Sequence, residues 1–257
     1  MQKEEYEEWM PIDEDIPVAA TLTDLEICQV FCEEVQAIKV GDSDGDKCVE
    51  ENTLCLKEEG IFQPGCFEKT DKPGGTWCYR NEVIDGVPSI MSSTIINHSK
   101  EIGALSKYPP PKEFNNFMRH GELYQYFMSI CESTDALKHI RYNMEISSVK
   151  RADDYEESGR WIVTVKNTVT GEISTDVCDG VLVCTGQFSH KKMPTYTGQE
   201  LFKGEILHTH GLRGVEKYRN KKVVVVGMGC SGLDAAVEIS NAAKQVYLST
   251  RSGAHVL

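Results

Sequence analysis

An α/β fold is predicted for this chain of 257 residues, and three observations predict it. Strand-like and helix-like stretches alternate from about residue 54 to the end, as in domains that pack helices on a sheet. A glycine-rich turn at 227–232 stands between a run of valines and a helix-like stretch. No internal repeat or low-complexity tract interrupts this pattern. We therefore expect a Rossmann-like arrangement of strands and helices.

Residues 1–53 are expected to form a divergent acidic N-terminal segment that is partly disordered. Residues 1–20 are acidic and interrupted by prolines. A helix is predicted after them, because Thr23 and Glu26 have the spacing of a capping box. Apolar residues then recur at helical spacing from Leu25 to Ile38. The polar stretch "GDSDGDKCVEEN" at 41–52 ends this pattern.

The sequence pattern of residues 54–200 predicts part of a first domain. The stretch "QPGCFEK" (63–69) is typical of a strand with an acid, Glu68, at its tip, and "KPGGTWCY" (72–79) is typical of a glycine loop. An amphipathic helix is predicted over 121–132. Alternating residues over 139–185 predict a small meander of strands, which returns to a buried strand, "GVLVCTG" (180–186).

Residues 201–257 predict part of a second domain that contains the glycine-rich turn. Four consecutive valines, 223–226, predict a strand buried on both faces. In the GxGxxG pattern that follows, Gly227 permits a tight turn and Gly229 lets backbone N–H groups approach a pyrophosphate. Gly232 lets the next helix pack closely on the strand, and the N-terminus of that helix attracts phosphate. The alternative is a tight strand–helix turn without a ligand.

The second strand of this domain favours NADPH over NADH. An NAD site usually has an acid about 20 residues after the glycine turn, where it binds the ribose hydroxyls. This chain instead has Thr250, Arg251 and Ser252, within "LSTRSGA" (248–254). A guanidinium beside hydroxyl groups suits a 2′-phosphate. The alternative is that Arg251 is an ordinary surface arginine.

Composition argues against several classes of protein. The formal net charge of −13 and the scattered basic residues argue against nucleic-acid binding. No apolar segment reaches the roughly 18–20 residues that span a bilayer, and the acidic N-terminus is unlike a signal peptide. A cytoplasmic protein is expected. Ten cysteines without Cys-x-x-Cys spacing predict buried, reduced thiols. His208 and His210 have no evident third ligand, so no metal site is expected.

The motifs from about residue 54 onward resemble the N-terminal half of flavin-containing monooxygenases, the dimethylaniline monooxygenase family. The resemblance implies a flavoprotein with two dinucleotide-binding domains, truncated here, that uses FAD and NADP. It rests on "LKEEGIFQPGCFEKTDKPGGTW" (56–77), "SSTIINHSKEI" (92–102), "FKGEILHTH" (202–210), "GMGCSGLDAAVE" (227–238) and "LSTRSGA".

The resemblance also implies an activity. NADPH would reduce FAD, and O2 would add to give a flavin hydroperoxide that oxygenates soft nitrogen or sulfur atoms of small nucleophilic substrates. Baeyer–Villiger and N-hydroxylating enzymes are the nearest rivals, and the block "INHSKE" (96–101) favours the flavin-containing monooxygenases. A cytoplasmic location is expected for the chain as given, and an endoplasmic reticulum membrane for a full-length relative.

By the same resemblance, Asn97 would be the active-site residue beside the flavin and the nicotinamide. Glu68 would bind the FAD ribose, and the alternatives are a loop cap for Asn97 and a solvated acid for Glu68. Trp77 is either a flavin neighbour or part of the core. The cofactor-binding residues implied are, for FAD, Glu68, Gly74, Gly75 and Trp77, and for NADPH, Gly227, Gly229, Ser231, Gly232, Thr250 and Arg251.

The chain departs from the family where a first glycine loop for FAD is expected. Gly41 and Gly45 do not form GxGxxG, and acids alternate with them at 42, 44 and 46. A calcium loop is disfavoured, because Lys47 stands in the place of a glycine and Thr53 in the place of a bidentate glutamate. Leu212 replaces the aromatic residue that usually ends the "FKGEILHTH" signature. The chain also stops inside the second domain, so instability is expected. A silent fragment with at most NADPH affinity is the alternative function.

Overall fold

The computed structural model of the protein describes residues 27–32, 62–105, 107–186, 188–251 and 253. Within these residues, nine strands form three sheets. The helices are α1 (His120–Ser133), α2 (Tyr155–Ser158) and α3 (Cys230–Ser240). The strands are β1 (Ile27–Cys32), β2 (Phe62–Glu68), β3 (Ile140–Tyr142), β4 (Met144–Arg151), β5 (Trp161–Asn167), β6 (Ile173–Cys178), β7 (Gly180–Val183), β8 (Lys222–Val226) and β9 (Gln245–Ser249).

The first sheet has the strand order β3-β2-β1-β7. Strands β2 and β3 are parallel, whereas β1 runs antiparallel to both β2 and β7. This order agrees with the strand order 3-2-1-4 of a Rossmann sheet. However, β1, which takes the place of Rossmann strand 1, runs in the opposite direction. Ile27 is therefore the partner of Phe67, so β1 begins at the edge of the sheet where β2 ends.

The helix predicted across this region is wrong for residues 27–32, which form β1. The apolar residues of this stretch fit helical spacing, but the backbone of β1 pairs with a strand on each side. In this pairing, the main-chain donors and acceptors of β1 bond to residues that are distant in sequence. The periodicity of a local stretch does not indicate such partners. The remainder of the predicted N-terminal segment, including Gly41, Gly45 and the capping box at Thr23, lies outside the described residues.

The predicted meander is confirmed as the antiparallel sheet β4-β5-β6. Its buried face and the end of β2 share one core, formed by Phe67, Ile146, Val149, Val163, Val165 and Cys178. The strand that follows the meander, β7, pairs only with β1 among the described strands. Its predicted burial is wrong, because Val183 is 56% exposed.

Helix α1 confirms the amphipathic helix predicted over 121–132. Its inward face packs on the loops that precede it, in a cluster of Ile96, Met118, Leu123, Tyr126 and Ile130. The Tyr126 hydroxyl accepts a hydrogen bond from the Leu105 main-chain N–H at 2.9 Å and donates one to the Tyr108 carbonyl. These bonds attach the loop at Leu105 and Tyr108 to the helix.

Strands β8 and β9 are parallel and are joined by α3, as the glycine-rich turn predicts. Val225, Ala235, Ile239 and Leu212 form the core of this unit. The predicted burial of β8 on both faces is wrong, because Val224 is 60% exposed and Val226 is 56% exposed. Helix α3 covers only the face that bears Val225, and no other described element covers the opposite face.

Six cysteines whose side chains are described are free thiols: Cys66, Cys78, Cys131, Cys178, Cys184 and Cys230. Cys66, Cys78, Cys131 and Cys178 are buried, whereas Cys230 is exposed at the start of α3. The predicted burial is therefore confirmed at four of these six positions and is wrong for Cys184, which is partly buried, and for Cys230. In the described part of the chain, no helix combines the length and the apolar character needed to cross a bilayer.

Candidate nucleotide-binding site

The glycine-rich turn begins where β8 ends. Gly227 adopts a φ of +104°, a conformation that favours glycine, and its N–H donates to the Ser249 carbonyl at 2.9 Å. A Cβ added at Gly232 would lie 2.5 Å from the Gly227 carbonyl oxygen. Glycine is therefore needed at 227 by the backbone and at 232 by the close packing of α3 on the turn.

Neither the backbone conformation nor close packing requires a glycine at position 229. It is the N-cap of α3 with a φ of −78°, which any residue can adopt, and an added Cβ would meet no atom within 4 Å. The space beside Gly229 is therefore open at the N-terminus of an 11-residue helix, with Ser231 exposed in its first turn. Backbone N–H groups at such a terminus attract anions, so this turn fits a pyrophosphate.

Thr250 and Arg251 lie beside the turn. Strand β9 pairs with β8 so that Ser249 is the partner of Val226, and the two residues that follow therefore leave the sheet next to Gly227. The Thr250 hydroxyl oxygen accepts the Gly253 N–H at 2.7 Å, which leaves its hydrogen available to an anion. Arg251 is exposed and makes no ion pair with any described residue. These groups fit a 2′-phosphate.

Glu68 occupies the tip of β2 and is only 3% exposed. Its Oε1 accepts hydrogen bonds from the main-chain N–H of Thr70, at 2.8 Å, and from the Thr70 hydroxyl. Arg80 Nη2 donates to the Thr70 hydroxyl at 2.7 Å, and Nη1 donates to the Cys78 carbonyl at 3.2 Å. Arg80 thus ties the strand tip to the glycine loop. The alternative of a solvated acid at Glu68 is excluded by its burial.

A cleft of about 620 Å³ opens beside this strand tip. Polar and charged side chains line most of it, with basic residues (Lys69, Lys72, Arg80) and acidic residues (Asp71, Glu82) both present. Such a lining fits a polar ligand that carries hydroxyl groups.

The glycine loop lies between this tip and α1. Gly74 has a φ of +104°, and a Cβ there would lie 2.5 Å from the ring of Tyr124. A Cβ at Gly75 would meet nothing within 4 Å, so this position is open. Trp77 packs against the cluster of α1, which favours the core alternative for its side chain.

Asn97 is exposed in a loop that is fixed on both sides. The Ile96 N–H donates to the Met118 carbonyl at 2.9 Å, and the Lys100 N–H donates to the Asn116 carbonyl at 2.7 Å. Ile96 and Trp77 pack in the same hydrophobic cluster. The fold therefore brings the Asn97 loop and the glycine loop against the same cluster.

Sequence reasoning missed a second set of contacts, between residues 82–89 and 208–213. His210 is buried, and its Nε2 lies 2.8 Å from the Val87 carbonyl. The Ser89 hydroxyl donates to the His210 carbonyl at 2.8 Å. Arg213 donates to the carbonyls of His210, at 2.9 Å, and Glu82, at 3.2 Å. These partners lie far apart in sequence, so no local pattern identifies them.

His208 is an orienting residue in the same segment. Its Nδ1 accepts the His210 N–H at 3.1 Å and caps a short turn. Burial lowers the pKa of His208, and the nearby charges of His210 and Lys191 lower it further. Its imidazole is therefore neutral at pH 7. The described residues contain no group of three metal-ligating side chains, and the two histidines are used in these structural contacts.

Comparison with known proteins decides the family. The family model described as "FMO-like: Flavin-binding monooxygenase-like" matches residues 45–257. This chain belongs to that family. Flavin-containing monooxygenase 5 of Homo sapiens is 42% identical over 205 residues, which cover 79% of this chain and 38% of the relative. Flavin-containing monooxygenase 2 of Homo sapiens is 37% identical over the same shares of the two chains. The FMO-like chain therefore spans about two fifths of the length of these relatives.

Solved structures agree with the fold. S-allyl-L-cysteine S-oxygenase from Allium sativum has a TM-score of 0.71 and 22% identity, over 80% of this chain and 50% of the other. Tmm from Pelagibacter sp. has a TM-score of 0.70 and 24% identity, over 80% of this chain and 48% of the other. The predicted family and the predicted Rossmann-like α/β fold class are both confirmed for the FMO-like chain.

The two cofactors expected of an FMO-like protein do not fit the described residues equally well. The open turn at Gly229 and the groups at Thr250 and Arg251 fit a dinucleotide with a 2′-phosphate. The polar cleft beside the tip of β2 fits the sugar end of FAD, and Glu68 itself is buried next to that cleft. In a Rossmann fold the pyrophosphate-binding glycine turn follows the first strand, at the end of the sheet where the neighbouring parallel strands also end. Here β1 begins, and does not end, beside the last residues of β2, so no described glycine turn follows β1 at that end to hold the FAD pyrophosphate.

Proposed function

We propose that the chain is an NADPH- and FAD-dependent monooxygenase, or a fragment of one, with O2 and a small nucleophilic substrate as its partners. Its substrates would present soft nitrogen or sulfur atoms. The observation that carries the proposal is the open turn at Gly229, beside the exposed guanidinium of Arg251, which pairs with no acid among the described residues, in a chain of the FMO-like family. When bound, the two cofactors would supply the hydride and the oxygen-activating ring.

The protein's own residues would bind and orient these groups. Gly227, Gly229, Ser231 and Gly232 would leave the N-terminus of α3 free for the NADPH pyrophosphate. Thr250 would donate its hydroxyl hydrogen to the 2′-phosphate, and Arg251 would neutralise it. We assign these roles to a second domain, 201–257.

A first domain, 54–200, would hold FAD. The buried carboxylate of Glu68 would accept the ribose hydroxyls, and the open position at Gly75 would admit the diphosphate or the ring. Trp77 would support the loop from the hydrophobic cluster. Asn97, which is exposed, would donate and accept hydrogen bonds beside the reacting groups. In this proposal the chain as given is cytoplasmic, and a full-length relative is at the endoplasmic reticulum membrane.

The test is the absorption spectrum of the purified chain after incubation with excess FAD and gel filtration. A bound flavin band at about 450 nm supports the proposal, because only a retained cofactor passes the column with the protein. Glu68→Gln should lower the FAD:protein ratio, because it replaces the carboxylate that accepts the ribose hydroxyls. The matched control, Arg251→Ala, should leave that ratio unchanged.

A second candidate is a catalytically silent protein that retains NADPH binding. It is favoured by the reversed direction of β1, which leaves the FAD pyrophosphate without a described glycine turn. A colourless protein that still binds NADPH would support this candidate and contradict the monooxygenase.

A further inference from the structure

Lys100 holds the loop that carries Asn97. Its ammonium group donates hydrogen bonds to three main-chain carbonyls, those of Phe114 at 2.7 Å, Lys112 at 2.8 Å and Pro111 at 3.1 Å. A lysine ammonium has three N–H donors, so all of them are used. Among the described residues, no carboxylate lies within ion-pair distance of Lys100. Its charge therefore serves to bind carbonyls of the neighbouring loop.

Main-chain hydrogen bonds also attach this loop to the neighbouring segment, on both sides of Asn97. We call residues 94–100 the Asn97 loop and residues 111–120 the supporting segment. The Lys100 N–H donates to Asn116 O at 2.7 Å, and the Ile96 N–H donates to Met118 O at 2.9 Å. The His120 N–H donates back to Thr94 O at 3.1 Å. The Asn97 loop is thus fixed to the supporting segment at both of its ends.

The attached loop buries one side chain and exposes the next. Ile96 is 6% exposed and packs in the cluster of α1, whereas Asn97, the next residue, is exposed. The loop therefore turns its apolar side chain inward and its amide outward. The position of the Asn97 side chain depends on the anchors before and after it, and Lys100 supplies four of the hydrogen bonds that make the second anchor.

We propose that Lys100 is the positioning residue for Asn97. It acts through the supporting segment and does not itself contact a cofactor or substrate. The inference rests on the proposed function, in which the Asn97 amide acts beside the cofactors. Without the ammonium, three carbonyls of the supporting segment lose their common donor, and the Asn97 loop keeps only its main-chain bonds.

Hydrogen exchange of the whole chain tests the physical part of this proposal. In Lys100→Met, which keeps the length of the side chain and removes the donors, the amides of residues 96 and 100 should exchange at least about tenfold faster. Amides of β4 and β5 should not change. Lys100→Arg, which restores charge and donors, should recover part of the protection. Lys150→Met, the same change at an exposed lysine of β4, is the matched control and should behave as the wild type.

A double-mutant cycle tests whether Lys100 acts through Asn97. With NADPH and a tertiary amine as substrate, Lys100→Met should lower kcat by about tenfold, with little change in the KM for NADPH. In the Asn97→Ala background, Lys100→Met should cause no further loss. Additive losses would show that Lys100 and Asn97 act independently, and they would overturn the proposal.

The two experiments separate this inference from the proposed function. A wild-type chain without flavin or turnover contradicts the proposed function, and the exchange experiment still decides the role of Lys100. Faster exchange of the Asn97 loop in such an inert chain upholds Lys100 as its anchor. Unchanged exchange at residues 96 and 100 overturns the inference whether or not the chain is active.

Discussion

The two glycines at 229 and 232 should respond differently to alanine. Gly229→Ala should leave the free energy of unfolding within about 0.5 kcal/mol, because its φ of −78° and its open surroundings accept a methyl group. It should nevertheless abolish NADPH binding, since the methyl fills the space assigned to the pyrophosphate. Gly232→Ala should cost about 1–3 kcal/mol, because its Cβ would lie 2.5 Å from the Gly227 carbonyl oxygen. Urea unfolding and NADPH titration measure both effects. Unchanged NADPH affinity in Gly229→Ala would contradict the assigned pyrophosphate position.

Arg251 should decide between the two nicotinamide cofactors. Arg251→Ala should weaken NADPH binding by about 1.5–3 kcal/mol, the range for a hydrogen-bonded charged contact. NADH binding should hardly change, because NADH lacks the 2′-phosphate. Arg219→Ala removes an exposed arginine before the opposite end of β8 and serves as the control, which should leave both affinities unchanged. Equal losses for NADPH and NADH in Arg251→Ala would show that Arg251 does not contact the 2′-phosphate.

At the scale of elements, the N-terminus of α1 should be sensitive to pH through Glu122. Its carboxylate accepts the side-chain amide and main-chain N–H of Asn115 and the main-chain N–H of Arg119. The bond from the Asn115 side chain is the largest cause that lowers the pKa of Glu122, and the bond from Arg119 is the next. A lowered pKa means that the stabilisation is complete above the unfolded value of 4.5 and is lost as the pH falls through the folded value.

Glu122→Gln should therefore lower the free energy of unfolding at pH 7 by about 1 kcal/mol, the usual contribution of a helix cap. The difference from the wild type should shrink as the pH falls below 4.5. Urea unfolding at a series of pH values measures it. Glu132→Gln, in the last turn of the same helix, should have no such effect. A difference that persisted in acid would show that the charge of Glu122 is not the cause.

The elements that the sequence predicts correctly are those set by local patterns. Helix α1 follows from its apolar spacing, and the turn from β8 to α3 follows from its glycines. The helix predicted over β1 is wrong because the pairing of β1 with β2 and β7 depends on residues distant in sequence. Arg80 and Lys100 are missed for a different reason. Their partners, the Thr70 hydroxyl and loop carbonyls, are close in sequence, but irregular loops carry no periodic pattern that identifies them. The roles of Glu68 and Asn97 stay predictions. The structure adds that Glu68 is buried and Asn97 is exposed, which their sequence motifs do not indicate.

At the scale of the whole molecule, the sheet of β8 and β9 leaves one apolar face uncovered by the described residues. Val224 is 60% exposed and Val226 is 56% exposed, and the partner of Val224 across the pair, Tyr247, is 50% exposed. Parallel sheets are ordinarily covered on both faces. An uncovered apolar face of this kind promotes association between molecules.

The double variant Val224→Thr and Val226→Thr should therefore raise the concentration at which the chain begins to aggregate, measured by light scattering. The free energy of unfolding should change by less than about 0.5 kcal/mol, because both side chains are exposed in the folded chain. Val225→Thr is the matched control, because Val225 is 7% exposed beneath α3. That change buries a hydroxyl group and should cost about 1–3 kcal/mol without raising the aggregation threshold. If the double variant aggregates as readily as the wild type, association uses another apolar surface. The exposed side chains of Leu201 and Phe202 would then be the next to substitute.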